Sequence, residues 1–137
     1  MGKTDTKNGF TLVEVLVSMS IIVFSAVAII QFYLSSIYLS QVNKEEAIAT
    51  THLTNIMEAI KCTPFNNITV DFPNGVAGGT TNNNYTNLVG GYVLGNEQIT
   101  VSYINPNSDP LEITASATWK DTRGINRAKY LVTKKTR

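Results

Sequence analysis

Gly9-Phe10-Thr11-Leu12-Val13-Glu14-Val15-Leu16-Val17-Ser18-Met19-Ser20-Ile21-Ile22-Val23-Phe24 is the stretch on which the reading of this chain turns. It holds a single charge, Glu14, and the next charged residue is Lys44. A short polar segment, Met1 to Gly9, stands in front of it. From Val15 to Leu39 the chain is apolar with scattered Ser and Gln. As an α-helix that run is about 37 Å long at about 1.5 Å per residue, enough to cross a hydrocarbon core of about 30 Å. A carboxylate in such a segment costs a few kcal/mol to place in lipid, so it marks a functional site by default.

A countercharge for Glu14 would arise if the chain were cut between Gly9 and Phe10. Phe10 would then carry a new α-amino group. Glu14 lies four residues further on, one turn away on the same helix face. It also falls in the first turn, where the helix dipole favours negative charge by roughly 0.3–1 kcal/mol. The amine and the carboxylate could neutralise each other within one chain. Between chains the same pair could test docking, because a low dielectric makes a missing partner costly.

The string from Gly9 to Phe24 resembles the class III signal of type IV pilins and pseudopilins: a short basic leader ending in Gly, then Phe, then Glu as the fifth residue after the cut, then an apolar helix. Gly9, Phe10 and Glu14 match position for position. The resemblance implies a prepilin peptidase that cuts after Gly9 and methylates the Phe10 amine, with Phe10 and Glu14 as the assembly residues. A secretory signal peptide is the rival reading. Against it, the cut would precede the apolar run, no small-residue cleavage site follows, and the run is too long. Lys3 and Lys7, partly offset by Asp5, lean only slightly towards a cytoplasmic leader, and the resemblance carries more of the reading that the leader lies in the cytoplasm and the rest outside.

Composition bounds the remainder. At 137 residues and net charge +1 the chain has room for one domain and implies no polyanion partner. The lone Cys62 cannot form an internal disulfide, unlike the loop-closing disulfide of many pilins. Zinc-ligand spacing, a phosphate-binding loop and a nucleophile elbow are all missing, so no cofactor or metal is implied. One His, one Cys and few carboxylates argue against an enzyme. His52 reads as a solvated or half-buried side chain rather than a ligand.

No Gly or Pro occurs between Phe10 and Lys61, which predicts a helix with no built-in breaker. Ala49, Leu53, Ile56, Met57 and Ile60 recur at helical spacing and form the stripe that should pack on a sheet. Thr63-Pro64 ends the helix. Residues 63–90 are rich in Asn, Thr and Gly and read as a long solvated loop. Asn67-Ile68-Thr69 and Asn84-Tyr85-Thr86 match the glycosylation sequon by chance. Three strands follow by alternation: Gln98 to Ile104, Leu111 to Trp119, and a last one through Ala128, Tyr130 and Val132. Lys120-Asp121-Thr122-Arg123-Gly124 should be a hairpin with Gly124 in the left-handed position. A strand around Gly91–Leu94 could precede them. The basic tail, Lys134-Lys135-Thr136-Arg137, reads as a solvated chain end.

The expected fold is therefore α+β and pilin-like: a long N-terminal helix, half transmembrane and half amphipathic, packed on a small antiparallel β-sheet. The expected organisation is a leader over 1–9, a hydrophobic transmembrane and polymerisation helix over 10–39, and a periplasmic or extracellular globular domain over 40–137. The resemblance implies a structural subunit whose partners are other pilin subunits, the prepilin peptidase, the inner-membrane assembly platform and, before assembly, membrane lipid. It would sit in the inner membrane first and in a cell-surface pilus or periplasmic pseudopilus afterwards. The unbroken helix and the leader type favour a minor, priming or tip subunit. The open alternatives are a major shaft subunit, a secretion or competence pseudopilin, or a membrane-anchored adhesin or DNA-binding module. Nucleic acid binding has no support beyond the basic tail.

Overall fold

The computed structural model describes residues 10–81, 83–90 and 93–137. Helix α1 runs from Leu12 to Cys62. A 3-10 turn, Phe65–Asn67, and two short helices, α2 Ile68–Asp71 and α3 Tyr85–Val89, lead to strands β1 Gln98–Tyr103, β2 Leu111–Lys120 and β3 Asn126–Lys135. The strands form one antiparallel sheet in the order β1-β2-β3. The chain divides into two compact units between Ser40 and Gln41.

In the first unit the apolar residues of α1 are exposed all round. An apolar helix with no packed face suits lipid or a larger assembly. Backbone polarity there is consumed by the helix ladder. Ser20 and Ser25 donate their hydroxyls back to Leu16 O and Ile21 O, each at 2.8 Å. Bonded this way the hydroxyls need no water, as a membrane segment requires.

In the second unit the stripe on α1 does what its spacing predicts. Leu53, Ile56 and Ile60 are fully buried, Met57 is nearly so, and they share a core with Ile99, Val101, Leu111, Ile113, Ala115 and Ala117. Ala49 packs with Trp119 and Leu94 in a smaller cluster. The alanines on β2 are small where the sheet meets other side chains, which keeps the layer thin. Register is fixed by the hairpin. Asp121 N donates to Ile125 O at 2.9 Å and Gly124, at φ +77°, donates to Asp121 O at 2.8 Å. The buried Asp121 carboxylate then accepts from Arg123 N, Ile125 N and Arg127 Nε, so it is tied to both sides of the turn.

Three expectations need correction. Residues 63–90 are not one solvated loop. They hold the helical turns above, and Ile68, Phe72 and Tyr85 lie in the core, with Phe72 and Tyr85 stacked at 6.0 Å between ring centroids. The apolar residues among the Asn and Thr drive this, and periodicity could not find them because each turn is too short. The segment also protects the sheet edge: Gly75 N donates to Val101 O at 2.8 Å and Gly78 N to Ile99 O at 2.9 Å. In β3, Ala128, Tyr130 and Val132 face outward, while Arg127, Lys129, Leu131, Thr133 and Lys135 are half-buried on the core side. Long cationic stems cover apolar surface there and keep their heads at polar partners. The expected strand at Gly91–Leu94 falls partly outside the described residues, and Val93 and Leu94 are not in a strand.

The basic tail is not a free chain end. Lys134 pairs with Glu112 at 3.1 Å. Lys135 Nζ donates to Ile60 O at 3.1 Å, to Lys61 O at 2.8 Å and to Thr63 O. A cation is thereby seated on the last carbonyls of α1, at the negative end of its dipole. Lys135→Met should lower stability by about 1–3 kcal/mol, because charge-assisted bonds are lost and the carbonyls are left partly buried. Lys134→Met, in an exposed pair, should change it by less than about 1 kcal/mol. Urea unfolding of the full chain in nonionic detergent, followed by the emission of the single tryptophan, Trp119, makes the comparison.

Two phenols add a pH dependence. Tyr103 donates to Phe72 O at 2.8 Å, and burial, with the neighbouring Tyr85, holds its ionisation well above the usual range. The Tyr85 hydroxyl is buried without a hydrogen-bond partner among the described residues, and burial pushes it up to about 12. Both raised phenols are neutral in the fold. Their contribution is full below about pH 10, where unfolded tyrosine is also neutral, and is lost as pH rises from there towards about 12. The urea midpoint should fall over that window, and Tyr85→Phe should reduce the fall while leaving stability at pH 7 unchanged or higher.

Candidate functional site

The start of α1 is built from a capping pattern. The Thr11 hydroxyl accepts from Glu14 N at 3.3 Å, and Thr11 O accepts from Val15 N at 3.2 Å. Thr11 is thus the N-cap and Glu14 the third helical residue. Thr-x-x-Glu at this spacing is the sequence signature of a capping box, a local signal that sequence reading passed over in favour of the charge. The cap matters because the first four N–H groups of any helix lack partners within it, and in lipid each would be costly.

Glu14 is exposed, in the first turn, and its carboxylate makes no hydrogen bond or ion pair among the described residues. Phe10 precedes the cap and its side chain is 82% exposed. The structure therefore brings Phe10 and Glu14 to the same end of α1, with the cap between them. Gly9 lies outside the described residues. The exposed aliphatic surface continues from Leu12 through Leu39. It is the one helix among the described residues that is long and apolar enough to cross a membrane.

The remaining sequence candidates resolve into structure. His52 is buried, not solvated or half-buried. Its Nδ1 lies 2.7 Å from Glu97 Oε1, and both side chains are at most 4% exposed. The other carboxylate oxygen of Glu97 accepts from Leu94 N at 3.0 Å. The pair is separated by 45 residues, which is why no local pattern announced it. It pins the second half of α1 to the turn before β1. The indole of Trp119 donates to Glu45 Oε2 at 3.2 Å, a second tie of the same kind. Cys62 is exposed at the end of α1. Asn84 caps α3 by accepting from Thr86 N at 2.9 Å, so the second sequon is a helix start. No cluster of metal-ligating side chains occurs among the described residues.

Residues 5–30 match the prokaryotic N-terminal methylation motif. No curated protein and no solved structure matches the chain. The motif supports a class III signal of the type IV pilin and pseudopilin kind, and with it a pilin-like structural subunit. It implies interaction with other pilins and with a prepilin peptidase, and the apolar helix is consistent with membrane anchoring before assembly. The match ends at residue 30, so the second unit is understood from its own physics.

Breaking a buried, hydrogen-bonded pair strands the surviving partner. Glu97→Ala should cost about 3 kcal/mol, and His52→Ala a similar amount. The double variant should cost clearly less than the sum of the two, because each single change already removes the shared bond. The same urea titration tests this; additive losses would show that the two side chains act separately.

Proposed function

We propose that this chain is a type IV pilin-like subunit, processed between Gly9 and Phe10 and assembled into a helical fibre through the pairing of Phe10 and Glu14. The observation that carries the reading is a carboxylate with no partner among the described residues, at the capped start of an apolar helix inside the methylation motif. Cleavage creates a positive charge at Phe10, one turn before Glu14, where the described residues offer the carboxylate no ion pair. Methylation keeps that amine cationic and makes it less hydrated, which suits a pair that will be buried among apolar helices.

The sequence of events follows from the solvents involved. The uncut chain rests in the inner membrane with its leader in the cytoplasm. Lipid accommodates the apolar surface of α1, and Glu14 sits near the interface. The prepilin peptidase removes residues 1–9 and modifies Phe10. The assembly platform, driven by a separate ATPase, then moves the subunit out of lipid and onto the growing fibre. There the same apolar surface is buried by neighbouring helices instead of acyl chains. Helix–helix contact replaces lipid contact at little cost in hydrophobic energy. The Glu14–Phe10 pair supplies the register that undirected apolar contact cannot. Residues from 40 onward form the outward-facing domain.

A minor subunit that primes the fibre or occupies its tip is favoured over an abundant shaft subunit, because α1 runs unbroken from Leu12 to Cys62. A shaft must bend and stretch, and helix breakers serve that need. A secretion or competence pseudopilin is the alternative with the same helix. Both use the same processing and pairing.

Intact-protein mass spectrometry on sheared fibres and on membranes tests the proposal. Wild-type chain in the fibre fraction should begin at methylated Phe10, in low abundance relative to the main fibre protein. Glu14→Ala should be cut but retained in membranes, with at least a tenfold fall in the fibre fraction, about 1.4 kcal/mol of assembly energy or more. An uncut chain beginning at Met1 and confined to membranes would contradict the proposal.

A further inference from the structure

The outer face of the sheet holds a groove. It arises from strand alternation. Leu111, Ile113, Ala115, Ala117 and Trp119 turn into the core, so Thr118 and Lys120 of β2 turn outward. Gln98 of β1 stands opposite Thr118, and Asn126 of β3 stands opposite Lys120. The turn Leu94–Glu97 rises beside this corner. Glu97 N donates to Leu94 O at 3.1 Å, and Lys120 N donates to Gly95 O at 2.8 Å, which fastens the turn to the end of β2. A Cβ on Gly95 would meet Lys120 O at 3.0 Å, so the close approach suits glycine. Asn96 holds φ +51°, a left-handed conformation that Asn tolerates better than most residues. Beneath it, the buried Glu97 is held by His52 and by Leu94 N. The groove so formed has a volume of about 420 Å³ and is bordered by Asn96, Gln98, Thr118, Lys120, Asn126 and Arg127.

Its chemistry is specific. The amides of Asn96, Gln98 and Asn126 each offer two donors and an acceptor in a plane, and Thr118 adds a hydroxyl. No carboxylate borders the groove among the described residues, whereas the Lys120 ammonium does. Arg127 belongs to the core-side set of β3, and its guanidinium is turned to the buried Asp121 at 3.2 Å rather than into the groove. The Lys120 ammonium makes no ion pair among the described residues. A positive groove rich in planar amides complements a ligand that carries a carboxylate together with adjacent hydroxyls. Along the same face of β3, Ala128 and then Tyr130 follow, the latter 70% exposed. Tyr130 is about 13 Å from Asn126 at roughly 3.3 Å per residue, the length of two or three pyranose rings. Between them lie Ala128 and, opposite it, Thr118; level with Tyr130, the Ser116 hydroxyl is bonded to that of Thr100 at 2.7 Å.

We propose that this groove binds an acidic polysaccharide: a uronate carboxylate at Lys120, ring hydroxyls on the amides of Asn96, Gln98 and Asn126, and a further sugar ring against Tyr130. Nucleic acid is the other common polyanion. It is disfavoured because a phosphate backbone calls for a row of cations, and amides outnumber cations here. The site lies wholly in the second unit, so it stands or falls independently of processing and assembly.

Isothermal titration calorimetry on the full chain in a sugar-free polyoxyethylene detergent tests this, with trigalacturonate, neutral maltotriose and an oligothymidylate as probes. Trigalacturonate should bind saturably, and maltotriose at least tenfold more weakly, the loss of roughly one charge-assisted bond. Lys120→Met and Asn126→Ala should each weaken trigalacturonate by about tenfold with the fold retained, as judged by Trp119 emission. Lys134→Met, an equal change of charge at the far end of the sheet, should leave affinity unaltered. If Lys120→Met unfolds, Asn126→Ala decides. Absence of saturable trigalacturonate binding would overturn the proposal. So would an equal loss in Lys134→Met, which would mean diffuse charge, or oligothymidylate binding as tightly at the same groove, which would make it a nucleic acid surface.

Discussion

A lone carboxylate in an apolar helix needs a positive partner, and we propose that the first unit of this protein is organised around that need. Glu14 stands in the first turn of α1, where the helix dipole already favours it, and the Thr11 cap removes the competing demand of the free N–H groups. What the dipole and the cap cannot supply is a full countercharge. A newly made amine at Phe10 can. On this account the chemistry of processing and the physics of assembly are one event. We propose that removal of the leader supplies the countercharge that Glu14 lacks among the described residues, so that the processed helix presents complementary charges to its neighbours. Apolar surface alone would let such helices slide against one another, since every register buries similar area.

The second unit solves a different problem, which is how a three-stranded sheet becomes stable. Isolated small sheets are marginal. Here the amphipathic half of α1 supplies the other wall of the core, and polar ties then fix its position. They are spread along the helix: Glu45 with the Trp119 indole, His52 with Glu97, and the last carbonyls with Lys135. Each tie joins α1 to a different part of the chain, namely the end of β2, the turn before β1, and the end of β3. Apolar contact sets the layers, and these bonds choose one arrangement among those the apolar contact would allow. The same ties hold the Leu94–Glu97 turn against Lys120, which gives the outer face its groove.

Much of this was legible in the sequence, because its signals are local. The apolar run, the Glu14 position, the stripe Ala49–Ile60 and the hairpin ending at Gly124 all rest on spacing within a few residues, and spacing is what a sequence displays. The extent of the strands was legible to within a few residues for the same reason. What was not legible depends on distant partners. His52 looked solvated because Glu97 is 45 residues away. Lys135 looked like part of a chain end because the carbonyls it caps lie more than 70 residues earlier. The segment 63–90 looked like a linker because its core residues, Ile68, Phe72 and Tyr85, are too widely spaced for any period. In β3 the more apolar set, Ala128, Tyr130 and Val132, faces outward, since the opposite set carries the cations that the helix end and Asp121 require. There electrostatics overrode the hydrophobic pattern. At the functional end, Thr11 was the residue missed: the charge of Glu14 drew the reading away from its role as a cap partner.

The central claim is that the Phe10 amine and the Glu14 carboxylate meet between subunits. Zero-length carbodiimide cross-linking of intact fibres, followed by peptide mass spectrometry, addresses it directly. The account predicts an amide joining the N-terminal peptides of neighbouring subunits, the Phe10 amine or the Glu14 carboxylate of this chain to its counterpart in the next subunit. The exposed Lys134–Glu112 pair, 3.1 Å apart within one chain, serves as the internal control for the reaction. Recovery of the control cross-link with no Phe10–Glu14 product, or only with a product closed within a single peptide, would contradict it.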